Sequence, residues 1–261
     1  MQRLVRWDPP VEGLAHLTID RPQARNALTW EAMRQFSEAV EAAHADADTR
    51  CLVVTGGPEA FCAGGDLVEL DGYPTRLDGA RLSLLMAGAL DRLESLPFPV
   101  IASMEGPALG GGAEIALACD LRVMADGSTL GMMHVRLAIT PAWGGGQRLL
   151  RLTGYARAME ILACGKALTA QEALEAGLAN RRVSRGEALA EATRIARTIA
   201  QQDPAAVRAV KRLLQGGLQL PADDASQAER SEFPDLWAAP AHLEASGAFI
   251  ARRNHKPRLR A

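Results

Sequence analysis

The sequence predicts an α/β fold in which an α/β core is followed by a helical C-terminal region. Two observations support this class. Over the first half, short apolar segments with strand character alternate with helical segments, which is typical of parallel βαβ units. After residue 145 the segments are helical in character, and only residues 181–184 (RRVS) are strand-like. With 261 residues, the chain is long enough to bury a substantial core.

The elements of the first half follow one another in a regular order. Thr29 is a candidate N-cap for the first helix, because its hydroxyl can accept a hydrogen bond from the first turn. Strands are predicted over residues 16–20, 51–56, 99–106 and 121–125, with 131–135 as a further candidate. Helices are predicted over residues 30–46, 80–96 and 110–120.

The second half is predicted to be almost entirely helical. Its helices are expected over residues 148–165, 169–179, 186–202 and 204–217. We expect a core domain over residues 1–195 and a C-terminal helical region over residues 196–261.

Composition argues against several classes of protein. The chain is 48% hydrophobic and 23% charged with a net charge of −2, which gives no electrostatic reason for a nucleic-acid or membrane partner. The first residues lack the apolar stretch of a signal peptide, and no apolar run reaches the ~20 residues of a spanning helix. We expect a cytoplasmic protein. The cysteines, Cys51, Cys62, Cys119 and Cys164, show no metal-ligand spacing and are expected to be small buried thiols.

Three glycine-rich segments follow predicted strands, at residues 55–67, 104–114 and 140–149. None has the spacing of a phosphate-binding P-loop or of a dinucleotide-binding loop. Glycine lets backbone N–H groups approach a ligand closely, and a helix N-terminus directs unpaired N–H groups towards it. Two such segments aimed at one point would form an oxyanion hole for a developing negative charge.

The three segments AFCAGGDLVEL, MEGPALGGGAEIALACDLRVMA and ITPAWGGGQRLLRLTGYARAMEIL resemble the crotonase superfamily, the enoyl-CoA hydratase/isomerase family. RPQARNALT and TAQEALEAGLANRRV resemble its first loop and its later helix and strand. The resemblance implies a crotonase (ClpP/crotonase-like) fold of repeated ββα units, with residues 196–261 serving trimerisation. It also implies a homotrimer or dimer of trimers, an acyl-CoA thioester as substrate, and neither a metal nor another cofactor.

The resemblance also implies roles for individual residues. The N–H groups of Gly65 and Gly111 would form the oxyanion hole, and Glu114 matches a catalytic glutamate. His134, seven positions before Pro141, stands where hydratases carry a second carboxylate. The residues expected to bind the substrate are Ala24, Arg25, Ala63, Asp66, Leu67, Trp143, Phe249 and Lys256, with the basic side chains offsetting the CoA phosphates.

Three functions remain open from the sequence. HVRLAITPAWGG and LWAAPAHLEA resemble the ethylmalonyl-CoA decarboxylase branch, which favours decarboxylation of a short branched malonyl-CoA. In that case Glu114 is expected to lie aside or to be protonated, because a carboxylate repels the carboxylate of the substrate. The alternative is an enoyl-CoA hydratase or isomerase that uses Glu114 and His134. The third is a catalytically silent CoA-binding scaffold.

Overall fold

The computed structural model describes residues 3–254 and has the mixed α/β architecture expected from the sequence. The chain divides into two compact units, Met1–Gln201 and Gln202–Ala261. The strands are β1 Val5–Val11, β2 Leu14–Ile19, β3 Cys51–Thr55, β4 Val100–Met104, β5 Ala108–Leu109, β6 Leu121–Ala125, β7 Thr129–Gly131, β8 Ala167–Thr169 and β9 Arg181–Val183.

The first α-helix, α1 (Trp30–Ala45), is capped by Thr29 as predicted, because the Thr29 hydroxyl accepts a hydrogen bond from the Ala32 N–H. Short 3-10 helices lie at Pro22–Ala24 and His134–Leu137. The α-helices of this unit are α1 Trp30–Ala45, α2 Leu67–Leu70, α3 Arg76–Glu94, α4 Gly111–Ala118, α5 Gly145–Thr153, α6 Tyr155–Ala163, α7 Ala170–Glu175 and α8 Ala188–Ala200.

A six-stranded sheet in the order β1-β2-β3-β4-β6-β9 forms the centre of the first unit. Only β1 is antiparallel to its neighbour, and every other pair in this sheet is parallel. All residues of β3 and β4 are buried, which explains why both strands are continuous apolar runs. Because the strands are parallel, their carboxyl ends share one edge, and the glycine-rich segments that follow β3 and β4 meet there.

The structure differs from the sequence predictions at several places in this unit. The strands β1, β5 and β8 and the helix α2 were not predicted, because Pro9 and Pro10 interrupt the strand pattern of β1 and the other three elements have only two to four residues each. The candidate strand 131–135 ends at Gly131, and the chain then turns into the 3-10 helix. The predicted helix 148–165 is two helices, because Gly154 has a φ of +75° and breaks the α-helical path.

The boundary between the two units lies after Gln201, whereas the sequence suggested 195. Residue 195 falls inside α8, which packs against the main sheet through Ala188, Ala192 and Ala196. These alanines recur every four residues, so they form one face of the helix and belong to the core of the first unit. The whole of α8 therefore stays with the sheet.

The second unit contains three helices in its described part: α9 Pro204–Gln219, α10 Ala222–Ala238 and α11 Pro240–Asn254. Arg212 of α9 pairs with Glu232 of α10 at 2.7 Å. The rings of Phe233 and Trp237 lie 5.6 Å apart, and both side chains are exposed. The predicted role of this region in trimerisation stays a prediction.

Three of the four cysteines are buried as expected, but Cys164 is exposed because it lies at the C-terminal end of α6. Among residues 3–254, no helix is long and apolar enough to cross a membrane. The same residues contain no cluster of three or more His, Cys, Asp or Glu side chains that could hold a metal ion.

We predict that Gly112→Ala destabilises the first unit. Gly112 lies in the first turn of α4, and an added methyl carbon would lie 2.0 Å from the Cys62 carbonyl oxygen. Because that neighbour is backbone, the overlap cannot be relieved by a rotamer change, and we expect a loss of about 2 kcal/mol in the free energy of unfolding. Urea denaturation measures this loss.

Gly88→Ala is the matched control, since Gly88 lies within α3 and an added methyl carbon would meet no atom within 4 Å. We expect this variant to gain roughly 0.5–1 kcal/mol from the better helix propensity of alanine. Equal stabilities for the two variants would contradict the packing described at Gly112.

Candidate active site

A pocket of about 300 Å³ opens where the three glycine-rich segments converge. The candidate residues Gly65, Gly111, Glu114, His134 and Trp143 all line it. Most of the remaining wall is apolar, with contributions from Leu67, Leu70, Leu82, Leu109, Leu137 and Ile139. Such a pocket suits a short acyl chain with one polar reacting group.

The segment before α2 and the start of α4 place two backbone N–H groups side by side. Gly65 is held by two hydrogen bonds with Leu28, from the Leu28 N–H to the Gly64 carbonyl at 2.7 Å and from the Asp66 N–H to the Leu28 carbonyl at 2.9 Å. A methyl carbon on Gly64 would lie 3.0 Å from the Gly111 nitrogen, so the two segments are in contact.

These N–H groups have no acceptor of their own. Gly111 is the first residue of α4, where an N–H has no intrahelical partner. Within residues 3–254, neither the Gly65 N–H nor the Gly111 N–H donates a hydrogen bond. Two donors on touching segments, one of them at the N-terminus of α4, form an arrangement that can bind an oxyanion.

Glycine is required at this place for steric reasons. Gly110 has a φ of +52°, a left-handed conformation that side chains disfavour. A methyl carbon on Gly111 would lie 2.0 Å from the ring of Trp143, which is buried against the start of α4. The indole therefore serves both as pocket wall and as support for the backbone that carries the N–H donors.

Glu114 lies in the first turns of α4 and is 1% exposed. One carboxylate oxygen, Oε2, accepts hydrogen bonds from the N–H groups of Trp143 at 2.9 Å and Gly145 at 2.7 Å. The other oxygen, Oε1, lies 3.0 Å from His134 Nε2. The protein itself therefore supplies this buried carboxylate with two backbone N–H donors and one imidazole contact.

His134 begins the 3-10 helix and is buried with 8% of its surface exposed. Its Nε2 faces Glu114, and a methyl carbon on Gly110 would lie 3.9 Å from that nitrogen, so Nε2 lies beside the residue that precedes the Gly111 N–H. The other ring nitrogen, Nδ1, is buried without a hydrogen-bond partner in the described part of the chain. The fold thus brings Glu114 and His134, twenty residues apart in sequence, into one hydrogen-bonded pair.

The residues assigned to substrate binding lie in different places. Ala63 and Leu67 line the pocket, and Arg25 is exposed on the loop beside it, where its carbonyl accepts a hydrogen bond from the Ala63 N–H at 3.0 Å. Ala24, which ends the first 3-10 helix, does not line the pocket. Phe249 is 68% exposed on α11 of the second unit. Lys256 lies outside the described residues.

Asp66 does not line the pocket but stabilises the segment that does. Its carboxylate caps α2 and pairs with Arg21, whose hydrogen bond holds the pKa of Asp66 below its usual value. Asn26, which was not singled out from the sequence, is buried and donates to the Ala60 carbonyl at 2.7 Å. Together these contacts tie the first loop to the segment that carries Gly65. The only sequence signal for Asn26 is that asparagine tolerates its left-handed φ of +59°.

Arg136 is a second residue that sequence reasoning missed. It is the single Arg or Lys among the described residues that line the pocket, and its side chain makes no hydrogen bond or ion pair within residues 3–254. Its stem packs close to Gly165. The pocket therefore offers one unpaired positive charge to a ligand.

Comparison with known proteins agrees with this geometry. The model of the family described as enoyl-CoA hydratase/isomerase matches residues 11–256. A short-chain-enoyl-CoA hydratase of Clostridium acetobutylicum is 35% identical over 241 residues, covering 92% of each chain. An ethylmalonyl-CoA decarboxylase of Gallus gallus is 32% identical over 236 residues, covering 89% of this chain and 79% of the other.

The fold also matches that of solved structures. The crystal structure of an enoyl-CoA hydratase from Bacillus anthracis superposes with a TM-score of 0.91 at 33% identity, covering 95% of this chain and 96% of the other. This likeness confirms the crotonase fold that the resemblance implied. Fold, sequence and family match together show that the chain belongs to the enoyl-CoA hydratase/isomerase family.

Proposed function

We propose that this chain is an acyl-CoA lyase that works through a thioester enolate, and that its reaction is decarboxylation of a short branched malonyl-CoA, such as ethylmalonyl-CoA or methylmalonyl-CoA. The observation that carries this proposal is the hydrogen bonding of the Glu114 carboxylate. Its Oε2 accepts two backbone N–H groups and its Oε1 faces His134, so little acceptor capacity is left for holding and deprotonating a water molecule. Decarboxylation needs no such base.

In this mechanism the substrate supplies the electron pair. The bond between the α-carbon and the carboxylate breaks, carbon dioxide leaves, and the pair moves into the thioester to form an enolate. The negative oxygen is stabilised by the N–H groups of Gly65 and Gly111, which are already in place before the charge develops. The apolar walls of the pocket exclude water from the departing carboxylate.

The enolate carbon then takes up a proton to give the shortened acyl-CoA. His134 is the proton donor in this proposal, because Nε2 lies beside Gly110, the residue before the Gly111 N–H. With both ring nitrogens protonated, the hydrogen bond between Nε2 and Glu114 Oε1 breaks, the Nε2 proton is transferred to the enolate carbon, and the neutral Nδ1–H tautomer remains. Glu114 orients the ring through Oε1.

Recognition of the substrate is divided between two regions. Arg136 offers the acyl pocket a positive charge, which favours a thioester with a free carboxylate over a neutral one. Arg25, exposed beside the pocket, is our proposed contact for a CoA phosphate, with Lys256 as a further candidate; Phe249 is retained as a candidate for binding the substrate elsewhere. We retain the homotrimer or dimer of trimers as a proposal, and the reaction as written uses no cofactor.

Hydration of an enoyl-CoA is the second candidate. Two observations favour it: Oε1 of Glu114 accepts only one hydrogen bond, and proteins named as hydratases are among the relatives of the chain. In that mechanism Glu114 and His134 would together hold one water molecule, replacing the paired carboxylates of the usual site.

We predict that the purified protein releases carbon dioxide from ethylmalonyl-CoA or methylmalonyl-CoA and adds little water to crotonyl-CoA. The reason is that the pocket provides the oxyanion donors but only one carboxylate, with Oε2 bonded to two N–H groups and Oε1 facing His134. Mass spectrometry of each thioester, with matched samples lacking enzyme, measures both products. Rapid hydration without decarboxylation would assign the chain to the second candidate, and no turnover of any of the three would favour a silent CoA-binding scaffold.

We predict that His134→Gln lowers kcat for the malonyl thioester by roughly 10²–10⁴-fold, the range expected for loss of a general acid. KM is expected to change little, because the oxyanion donors and Arg136 remain in place. Steady-state kinetics measure both constants.

His44→Gln is the control for this variant, since His44 is exposed in the last turn of α1 and does not line the pocket. Its kinetics should match those of the unaltered protein. A His134→Gln enzyme with an unchanged kcat would remove His134 from the mechanism.

A further inference from the structure

Arg148 is a buried arginine on α5 that does not line the pocket. Its side chain is 3% exposed and makes ion pairs with two carboxylates of α3, Asp91 at 2.7 Å and Glu94 at 2.8 Å. Its Nη1 donates a hydrogen bond to the carbonyl oxygen of Trp143 at 2.8 Å. One guanidinium therefore joins α3, α5 and the segment that precedes α5.

The backbone around Arg148 is shaped to accept this guanidinium. Gly144 has a φ of +88°, and a methyl carbon there would lie 2.6 Å from Arg148 Nη1. The glycine thus provides both the left-handed turn and the space that the side chain fills. A larger residue at 144 would displace the guanidinium from the Trp143 carbonyl.

The segment that Arg148 holds is the one that holds Glu114. The N–H groups of Trp143 and Gly145 both donate to Glu114 Oε2, so their directions fix the carboxylate. A second contact from α3 reaches the same segment, because the Ser83 hydroxyl donates to the Ala142 carbonyl at 2.8 Å. The Glu114 carboxylate is thus supported from α3 by Ser83, Asp91 and Glu94, and none of these three residues lines the pocket.

We propose that Arg148 is a positioning residue for the reaction. By fixing the Trp143 carbonyl, it sets the directions of the two N–H groups that hold Glu114, and through Glu114 it orients the His134 ring. Stability alone does not explain this arrangement, because the partner carboxylates reach solvent (Asp91 is 73% and Glu94 30% exposed), and ion pairs with exposed carboxylates contribute little net free energy of folding. The kinetic part of this inference rests on the proposed function, whereas its structural part does not.

The test compares Arg148→Met and Arg148→Lys with Arg151→Met as the matched control. Arg151 lies on the same helix and pairs with the same Glu94, at 3.5 Å, but it is 35% exposed and makes no bond to Trp143. The readouts are kcat, KM and amide hydrogen exchange, measured by mass spectrometry, in the peptide that covers residues 141–147.

We expect Arg148→Met to lower kcat by about 10²-fold with little change in KM, since misplacement of a catalytic group by about 1 Å has an effect of this size. Exchange over residues 141–147 should become faster, while strands β3 and β4 keep their protection. Arg148→Lys, which retains one donor, should recover part of both losses. Arg151→Met should resemble the unaltered protein in every readout.

Two results would overturn the proposal. One is an Arg148→Met enzyme with unaltered kcat, and the other is a lower kcat without faster exchange over residues 141–147. If Arg148→Met fails to fold, the double variant Asp91→Asn, Glu94→Gln removes the ion-pair partners of Arg148 on α3 instead. We expect the same decrease in kcat and the same faster exchange over residues 141–147. If the unaltered protein turns over no malonyl thioester, the proposed function fails, but exchange over residues 141–147 still decides whether Arg148 holds the segment.

Discussion

The candidate site depends on the close contact between the segment before α2 and the N-terminus of α4. Gly64 and Gly111 touch, and the Gly112 backbone lies against the Cys62 carbonyl, at separations where a single methyl group would overlap a neighbour. Only backbone without side chains can approach this closely. Among the described residues the Gly65 and Gly111 N–H groups have no acceptor at the pocket wall, so the backbone that must be glycine also carries the proposed oxyanion donors.

The polar side chains of the site complete this backbone arrangement rather than create it. The Glu114 carboxylate is directed at the N–H groups before α5 and at His134, so its charge is used within the protein. In the proposed mechanism, the two N–H groups stabilise an enolate that both hydration and decarboxylation can pass through. Which reaction follows depends on the few groups that deliver or remove a proton, and here these are one carboxylate and one imidazole in place of two carboxylates.

Features marked by apolar runs and by motifs were predictable from the sequence, whereas local backbone conformations and long-range polar contacts were not. Apolar runs gave β3, β4 and β6, and the glycine motifs with Glu114 and His134 gave the residues that the structure brings together at the pocket. The helix boundary at Gly154 and the turn after Gly131 depend on local conformations that periodicity does not report. The buried roles of Asn26 and Arg148 were missed because their partners lie about thirty and fifty residues away, and polar residues are usually exposed.

The most direct test of the account is whether the protein stabilises a thioester enolate. Acetoacetyl-CoA suits this test, because its enolate absorbs ultraviolet light at longer wavelength than its keto form. The measurement is a difference spectrum of acetoacetyl-CoA bound to the protein, at a pH where the free thioester is not ionised. If the Gly65 and Gly111 N–H groups act as described, the bound thioester shows the enolate band. A bound thioester that keeps the keto spectrum would contradict the account.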